Sequence, residues 1–214
     1  MLALFDLDDT LIDRRGGLED WARGFVRLRG LPPGAESVIS ERLRERAYPA
    51  DFIYLRRVLR LDDDPDGLWH EYVDGVARSA RCFQGAREGL EALRDAGWTL
   101  GIATNGAGDI QRAKLAATGL APLFDGICIS EEIGARKPAC KHFETAASLC
   151  GVTLSTGGWM VGDNPETDME GGYAAGLRTA WVARDRTWAD SPREPDLVVR
   201  GVSEAIEGMR AAAG

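Results

Sequence analysis

The chain has 214 residues, 44% of them hydrophobic, which is enough for one sizeable core or for one core with a small satellite. Its formal net charge of −8 argues against a nucleic-acid partner, because surfaces that bind nucleic acid are usually basic. We expect no membrane partner and no secretory signal, because no stretch approaches the ~20 apolar residues that cross a bilayer and the first residues lack a basic segment.

The chain begins with an apolar run, LALFD, that predicts a first β-strand, and a cluster of acidic residues follows it. Residues 5–13 read FDLDDTLID and contain four aspartates. Asp6 and Asp8 are two positions apart, so on an extended segment both side chains face the same way. Two carboxylates this close favour a shared proton or a bound divalent cation.

The next part of the chain, from residue 17 to residue 78, shows only helical patterns. The first apolar stripe has spacings of three and four residues and consists of Leu18, Trp21, Phe25 and Leu28. Three more helices are predicted around residues 38–43, 52–59 and 65–76, the last with Asp64 as N-cap. Between residues 14 and 81, thirteen arginines face twelve acidic residues, whereas the remainder carries a net charge of −9. We therefore predict that residues 14–82 form a separate small helical bundle.

After this segment, strand and helix patterns alternate. The predicted strands are the apolar runs WTLGIAT, GICIS, WMVG, RTAWVA and DLVV. Helical patterns lie between most of them, at residues 86–96, 108–118, 140–150 and 167–175. Such alternation predicts right-handed crossovers and a parallel sheet covered on both faces. The fold class is thus α/β, a Rossmann-like doubly wound sheet formed by residues 1–13 and 83–214, with the bundle of residues 14–82 inserted.

Polar side chains gather where the predicted strands end, and parallel sheets bind ligands outside the carboxyl ends of their strands. GIAT ends at Thr104, and the turn that follows begins with Asn105. WMVG is followed by GDNPETD, which contains Asp163 and Asp168, and Lys137 lies between these segments. Carboxylates, a hydroxyl, turn amides and one ammonium group suit a phosphoryl group bound with Mg²⁺.

The order of these motifs resembles the haloacid dehalogenase superfamily, in its phosphatase branch with a helical C1-type cap after the first motif. FDLDDT matches the D-x-D-x-T of that family, Thr104 its second motif, Lys137 its third and GDNPETD its acidic fourth. One departure is KPAC, where relatives often have Lys-Pro-Asp-Pro. This departure changes the loop after the lysine and retains the lysine itself.

The resemblance implies catalytic roles for the residues that match. Asp6 would be the nucleophile that forms an aspartyl phosphate, and Asp8 the general acid and base. Thr104, the Asn105 amide and Lys137 would bind the phosphoryl group. The function implied is a phosphomonoester hydrolase for a small phosphorylated metabolite, either a sugar phosphate or a nucleoside monophosphate.

The resemblance also implies Mg²⁺ as the cofactor. Its ligands would be the Asp6 carboxylate, the Asp8 backbone carbonyl and Asp163. Asp168 would orient Lys137 or a metal-bound water, and a structural capping role stays open for it. Asp9 and Asp13 receive no chemical role, and Asp13 is expected to stabilise the turn into the bundle.

Alternative functions of the same fold differ in what they require. Dehalogenases of the family lack a carboxylate at the position of Asp8, and phosphonate cleavage needs a lysine that residues 14–82 do not contain. A sugar-phosphate mutase retains all the motifs and stays open. An inactive binding or regulatory module would have no need to keep the five motif residues Asp6, Asp8, Thr104, Lys137 and Asp163.

The cysteines indicate the compartment. All four are widely spaced, form no C-x-x-C pair and, with two histidines in the chain, give no zinc pattern. We therefore expect reduced thiols in a cytoplasmic protein. As partners we expect a small phosphorylated substrate, and the chain itself as a monomer or a homodimer.

Overall fold

The computed structural model describes residues 1–188 and 193–213, which divide into two compact units by their contacts. The first unit consists of Met1–Ile12, Cys82–Asn105 and Gly119–Gly214, and the second consists of Asp13–Arg81 and Gly106–Thr118. Residues 189–192 and 214, which belong to the predicted core segment 83–214, lie outside the described residues. None of the helices in the described ranges has the length and apolar character needed to span a membrane.

The first unit is built on a six-stranded sheet. Its strands are β1 (Leu2–Phe5), β2 (Thr99–Thr104), β3 (Gly126–Ile129), β4 (Trp159–Gly162), β5 (Arg178–Val182) and β6 (Leu197–Val199). They are all parallel and lie in the order β3-β2-β1-β4-β5-β6. After β1, the chain forms β2 and β3 on one side of it and then β4, β5 and β6 on the other side. The predicted strands and the doubly wound α/β fold class are confirmed.

Some of the helices lie between the strands in the first unit, and the others form the second unit. They are α1 (Arg14–Arg29), α2 (Ala35–Leu43), α3 (Pro49–Leu59), α4 (Pro65–Ser79), α5 (Ala86–Asp95), α6 (Gly108–Thr118), α7 (Ser130–Ile133), α8 (Cys140–Leu149), α9 (Gly171–Ala174) and α10 (Val202–Ala211). Short 3₁₀ turns lie at Ala121–Leu123 and Leu154–Thr156. The sequence analysis did not identify α10, although its buried face repeats at helical spacing through Val202, Ala205, Ile206 and Met209.

The helix predicted at residues 167–175 has a different form. The segment Pro165–Glu170 is a π-helix, and regular α-helix occupies only α9. The wider π turn begins at Asn164, whose side-chain oxygen accepts hydrogen bonds from the amides of Glu166 and Thr167. π-Helical turns are rare, and they occur frequently at functional sites.

The first unit has a sheet whose central strands are buried on both faces. All four residues of β1 are buried, and so are those of β4. Continuous burial is what a parallel strand with helices on both faces requires, and it explains why these runs are apolar throughout rather than alternating. The loops that follow these two strands therefore begin at strands that are buried along their whole length.

The second unit has its own core, made of an aromatic cluster. Ring centroids of neighbouring members lie 4.8–6.4 Å apart, and the members are Trp21, Phe25, Phe52, Trp69 and Tyr72. Two of its helices have aspartate N-caps of the expected type: Asp13 accepts from the Gly16 amide at α1, and Asp64 accepts from the Gly67 amide at α4.

The sequence prediction was wrong about one residue of the first apolar stripe. Leu28 has 79% of its surface exposed, whereas Leu18, Trp21 and Phe25 are buried. Near the end of α1, Val26 and Leu31 pack against the core instead. Toward the C-terminal end of α1, the buried positions therefore shift away from the spacing that the first three residues of the stripe follow.

The position of α6 differs from the prediction, which assigned residues 108–118 to the sheet domain. Ala107 and Ile110 lie in the same apolar core as the aromatic cluster. In addition, the Trp69 indole donates a 2.6 Å hydrogen bond to the Asp109 carboxylate. These contacts group α6 with the helical unit, and the assignment of residues 14–82 as an independent domain stays a prediction.

A buried histidine in the first unit predicts how stability depends on pH. His142 is fully buried on α8, and its Nδ1 donates a 2.9 Å hydrogen bond to the Ala135 carbonyl. Its Nε2 is buried and has no hydrogen-bond partner among the described residues. Burial lowers the pKa of His142 from 6.5 to about 4, because a proton on Nε2 would place a charge where no acceptor lies.

Acidification should therefore destabilise the protein through this residue. Below pH 6.5 the unfolded chain binds a proton at His142 and the folded chain does not, so stability falls as the pH approaches 4. Between about pH 7.5 and pH 5 the loss attributable to His142 is about 2 kcal/mol. Urea unfolding across this range should give a flatter profile for His142→Gln than for the parent. The control is the same substitution at the exposed His70. A pH profile for His142→Gln parallel to that of the parent would contradict the inference that His142 causes the loss of stability.

Candidate active site

Three of the predicted site residues lie together because of the strand order. β1 pairs with β2 on one side and with β4 on the other, so the loops after these strands leave the same edge of the sheet. Asp6 follows β1, Thr104 ends β2 and Asp163 follows β4. The Asp6 amide donates a 2.9 Å hydrogen bond to the Val161 carbonyl, which continues the pairing of β1 and β4 to Asp6, the predicted nucleophile.

A buried lysine joins two of the predicted aspartates. The Lys137 ammonium donates to Asp6 Oδ1 at 2.8 Å and to Asp168 Oδ1 at 2.6 Å. All three side chains are at least 90% buried, so the ion pairs lie in a region of low effective dielectric. The structure thus places Lys137 between the first and the fourth motif.

Asp168 is held at both of its oxygens. Oδ1 accepts from Lys137, and Oδ2 accepts a 3.0 Å hydrogen bond from the amide of Asn164. The backbone at Gly162 passes so close that a Cβ there would lie 2.3 Å from Asp168 Oδ2. Only glycine fits at that position. These contacts favour the role of orienting Lys137, which was one of three alternatives that the sequence left open for Asp168, beside orienting a metal-bound water and structural capping.

The side chain of Asn105 has contacts that the sequence analysis did not anticipate. Its Nδ2 donates to the Lys137 carbonyl at 3.1 Å, and its Oδ1 accepts from the Lys137 amide at 3.0 Å. The amide side chain therefore pairs with both backbone groups of Lys137 as a neighbouring strand would. Sequence reasoning assigned only the backbone amide of Asn105, to the phosphoryl group.

Three carboxylates form a cluster that could hold a metal ion. One oxygen from each of Asp6, Asp163 and Asp168 lies within 4.8 Å of the others. The sequence prediction of the metal ligands was Asp6, Asp8 and Asp163, with Asp8 contributing its backbone carbonyl. The described cluster thus shares Asp6 and Asp163 with that prediction and adds Asp168, whose oxygens are already occupied.

The first motif continues from β1 into a turn. β1 ends at Phe5, Asp8 forms an isolated β-bridge with Ile12, and the amides of Leu11 and Ile12 both donate to the Leu7 carbonyl. Asp9 has a positive φ of 56° within this turn. The turn thus follows Asp8, and the same-side orientation of the Asp6 and Asp8 side chains stays a prediction.

The electrostatics of the cluster show an excess of negative charge. Burial raises the pKa of Asp6 above its usual value, and repulsion from Asp168 and Asp163 adds to this although Lys137 opposes it. Burial also raises the pKa of Asp163 to about 6. Burial lowers the pKa of Lys137, but the attraction of Asp168 and Asp6 outweighs it and raises the pKa overall. A divalent cation would offset the remaining negative charge.

Two arginines beside the cluster were also missed by the sequence analysis. Arg184 and Arg186 lie in the loop after β5 and donate to groups of Asp9 and Asp163. No motif includes them, and the signal available in the sequence was only their position after a predicted strand. Parallel sheets place such positions at the ligand-binding edge.

Comparison with protein families gives a match over most of the chain. Residues 3–182 match the family described as haloacid dehalogenase-like hydrolase. The chain therefore belongs to the haloacid dehalogenase-like hydrolase family, and the resemblance inferred from the motifs is confirmed.

Named relatives of the chain include phosphatases. Over 117 residues the chain is 40% identical to a phosphoserine phosphatase of Thermus thermophilus; the match covers 55% of the chain and 47% of the phosphatase, so the chain spans about half the length of that relative. Over 193 residues it is 32% identical to a glyceraldehyde 3-phosphate phosphatase of Pyrococcus abyssi, covering 83% of the chain and 79% of the relative. A crystal structure of a phosphatase from Thermococcus onnurineus is similar over 100% of the chain and 97% of its own, with a TM-score of 0.72 and 25% identity.

The contacts of Asn105 predict a measurable contribution to stability. Asn105→Ala removes both hydrogen bonds to the Lys137 backbone and should lower the free energy of unfolding by about 2 kcal/mol, at about 1 kcal/mol for each bond. Asn105→Asp retains an acceptor for the Lys137 amide but turns a second acceptor toward the Lys137 carbonyl, so it should be no more stable than Asn105→Ala. Urea unfolding measures all three, and equal stability of Asn105→Ala and the parent would contradict the inferred role.

Proposed function

We propose that this protein is a Mg²⁺-dependent phosphomonoester hydrolase that acts on a small phosphorylated metabolite through a phosphorylated Asp6. The observation that carries the proposal is the buried Lys137, whose ammonium bridges Asp6 and Asp168 beside the third carboxylate of Asp163. A nucleophilic carboxylate, a fixed positive charge and a group of oxygen ligands are what phosphoryl transfer through an acyl phosphate requires. Family membership and the phosphatase relatives support the same reaction class.

The donor set fits Mg²⁺. The clustered groups are carboxylate oxygens, the ligand type that Mg²⁺ prefers, and three carboxylates with the single ammonium of Lys137 leave a negative charge that a divalent cation would offset. The residues that would hold the ion are Asp6, Asp163 and the Asp8 carbonyl. When bound, the cation supplies positive charge that reduces repulsion between Asp6 and an incoming phosphate.

The aspartates of the first motif would perform the covalent steps. An Asp6 oxygen attacks the phosphorus in line, the bond from phosphorus to the ester oxygen breaks, and Asp8 gives its proton to the departing oxygen. Asp8, now ionised, takes a proton from a water molecule as that water attacks the same phosphorus. Breakage of the bond between Asp6 and phosphorus releases inorganic phosphate and restores both carboxyl groups.

The remaining site residues would bind and orient the phosphoryl group. Thr104 and the Asn105 backbone amide would donate to its oxygens, and Lys137 would offset charge in the transition state. Asp168 and the Asn105 side chain hold Lys137 from opposite ends, since one accepts from its ammonium and the other pairs with its backbone. A lysine held this way needs little reorganisation when charge develops.

The substrate class that we propose is a small sugar phosphate or a nucleoside monophosphate. The glyceraldehyde 3-phosphate phosphatase that aligns with most of the chain supports a short sugar phosphate. We propose that residues 14–82 act as the cap that selects the leaving group. Ranking a panel of phosphorylated metabolites by kcat/KM tests the class, and three-carbon phosphates, pentose phosphates and nucleoside monophosphates form its three arms.

The nucleophile and the reaction type can be tested in one experiment. With an activated aryl phosphate, Asp8→Asn should slow breakdown of the intermediate more than its formation, because the leaving group needs little acid assistance. Rapid quench with intact-mass analysis should then detect one added phosphoryl group on Asp6, and Asp6→Asn should lose both the label and at least ~10³-fold in kcat.

The distribution of labelled phosphate separates a hydrolase from a mutase. The parent protein should release the label mainly as inorganic phosphate. Label found chiefly in an isomerised sugar phosphate would identify a mutase, and label on a residue other than Asp6 would overturn the mechanism.

The cation requirement gives a separate prediction. Excess chelator should abolish hydrolysis and added Mg²⁺ should restore it, because the clustered carboxylates need a compensating charge. Asp163→Asn should raise the Mg²⁺ concentration for half-maximal activity by at least ~10-fold. Full activity in chelator, or an Asp163→Asn variant that titrates like the parent, would contradict the assignment.

A further inference from the structure

We infer that the loop after β5 is an outer support of the candidate cation site and that Arg186 is a positioning residue for Asp163. Arg184, from the same loop, holds the turn of the first motif in the same way. This inference rests on the proposed function, since it concerns the affinity of the proposed Mg²⁺ site. It is carried by the hydrogen bonds of the two arginines and not by any motif.

Arg186 binds Asp163 at two points. One guanidinium nitrogen lies 2.7 Å from the Asp163 carbonyl oxygen and 3.2 Å from Asp163 Oδ2, and it also donates to the Val182 carbonyl at 3.0 Å. Nε of Arg186 donates to the Ala183 carbonyl at 3.2 Å, so the arginine is itself fixed to the end of β5. The carbonyl of Asp163 accepts a second hydrogen bond, 2.9 Å long, from the indole of Trp181.

Arg184 holds the other ligand-bearing loop. It donates to the Asp9 carbonyl, and its guanidinium lies 4.2 Å above the centre of the Phe83 ring. The Asp9 amide donates to the Ile12 carbonyl at 2.8 Å. The Asp9 amide and the Asp8 carbonyl belong to the same peptide unit, which is planar. The hydrogen bond from the Asp9 amide to the Ile12 carbonyl therefore also sets the direction of the Asp8 carbonyl. That carbonyl is one of the proposed ligands.

Arg186 affects the proposed Mg²⁺ affinity in two opposite ways, through its charge and through its hydrogen bonds to Asp163. Its positive charge by itself would oppose a cation at Asp163, but 46% of the side chain is exposed and solvent screens the charge. The hydrogen bonds, in contrast, restrict both the backbone and the carboxylate of Asp163. We therefore expect the orienting effect to dominate, and outer partners of metal ligands typically contribute 10–100-fold in affinity.

The chain offers a matched control on the same strand. Arg178 begins β5 at the opposite end, where its guanidinium lies 4.0 Å above the Trp159 ring and 3.8 Å from an Asp196 oxygen. Arg178→Gln therefore removes an arginine with similar ring and carboxylate contacts that is not part of the site. It should leave the Mg²⁺ affinity unchanged.

The test is calorimetric titration of the full chain with Mg²⁺ in the absence of substrate. Arg186→Gln should bind Mg²⁺ about 10-fold more weakly than the parent, and Arg184→Gln should show a loss in the same direction. Arg186→Lys retains the charge but not the planar fork, so it should also bind weakly. Thermal unfolding of each variant in chelator confirms that the fold is retained, and Arg186→Lys serves if Arg186→Gln does not fold.

Each outcome decides a different statement. Affinity in Arg186→Gln equal to or tighter than in the parent overturns the positioning role while leaving the cation site intact. Full affinity in Arg186→Lys also overturns it, since the hydrogen bonds of the planar guanidinium would then contribute nothing to the affinity. No binding of Mg²⁺ by the parent protein overturns the cation site of the proposed function itself, and the inference with it.

Discussion

The site depends on one buried ammonium group that lies between two buried carboxylates. Moving Lys137 out of water is unfavourable, and only close opposite charges with good geometry offset that penalty. Asp6 and Asp168 provide them at 2.8 and 2.6 Å. Because the partners come from the loops after β1 and β4, the same interaction that keeps the lysine charged also fixes the spacing of those loops. With Asp163 included, the formal charge of the group is −2, which one divalent cation balances.

The polar residues around this group act mainly on the backbone. Asn105 pairs with the peptide groups of Lys137, Asn164 caps the π-helical turn that carries Asp168, and Arg186 binds the Asp163 carbonyl. Lys137, Asp168 and Asp163 are therefore each held by a neighbouring side chain through a contact with their own backbone or with the backbone of their turn. Such support allows charged groups to be preorganised before a phosphate binds, and this is where most stabilisation of a developing charge originates.

Most of the fold could be predicted from local patterns. The central strands are buried on both faces, so they are short apolar runs that can be recognised one at a time, and alternation with helices implies a parallel sheet. Caps such as Asp64 involve residues three positions apart and are visible for the same reason. The prediction failed where packing overrides the local pattern, as for the exposed Leu28 and for the π-helical turn before α9.

The sequence by itself determined the residue types at the strand ends, and hence the family, because strand lengths and motif spacings are local properties. Only the tertiary structure decided how those residues meet. Lys137 and Asp6 are 131 positions apart, and their contact depends on the order of the strands and on loops that no periodicity describes. The same holds for the Asn105 side chain on Lys137 and for Arg186 on Asp163, which are 32 and 23 positions from their partners. Contacts over such separations are set by the packing of the whole unit, and short-range spacing carries no information about them.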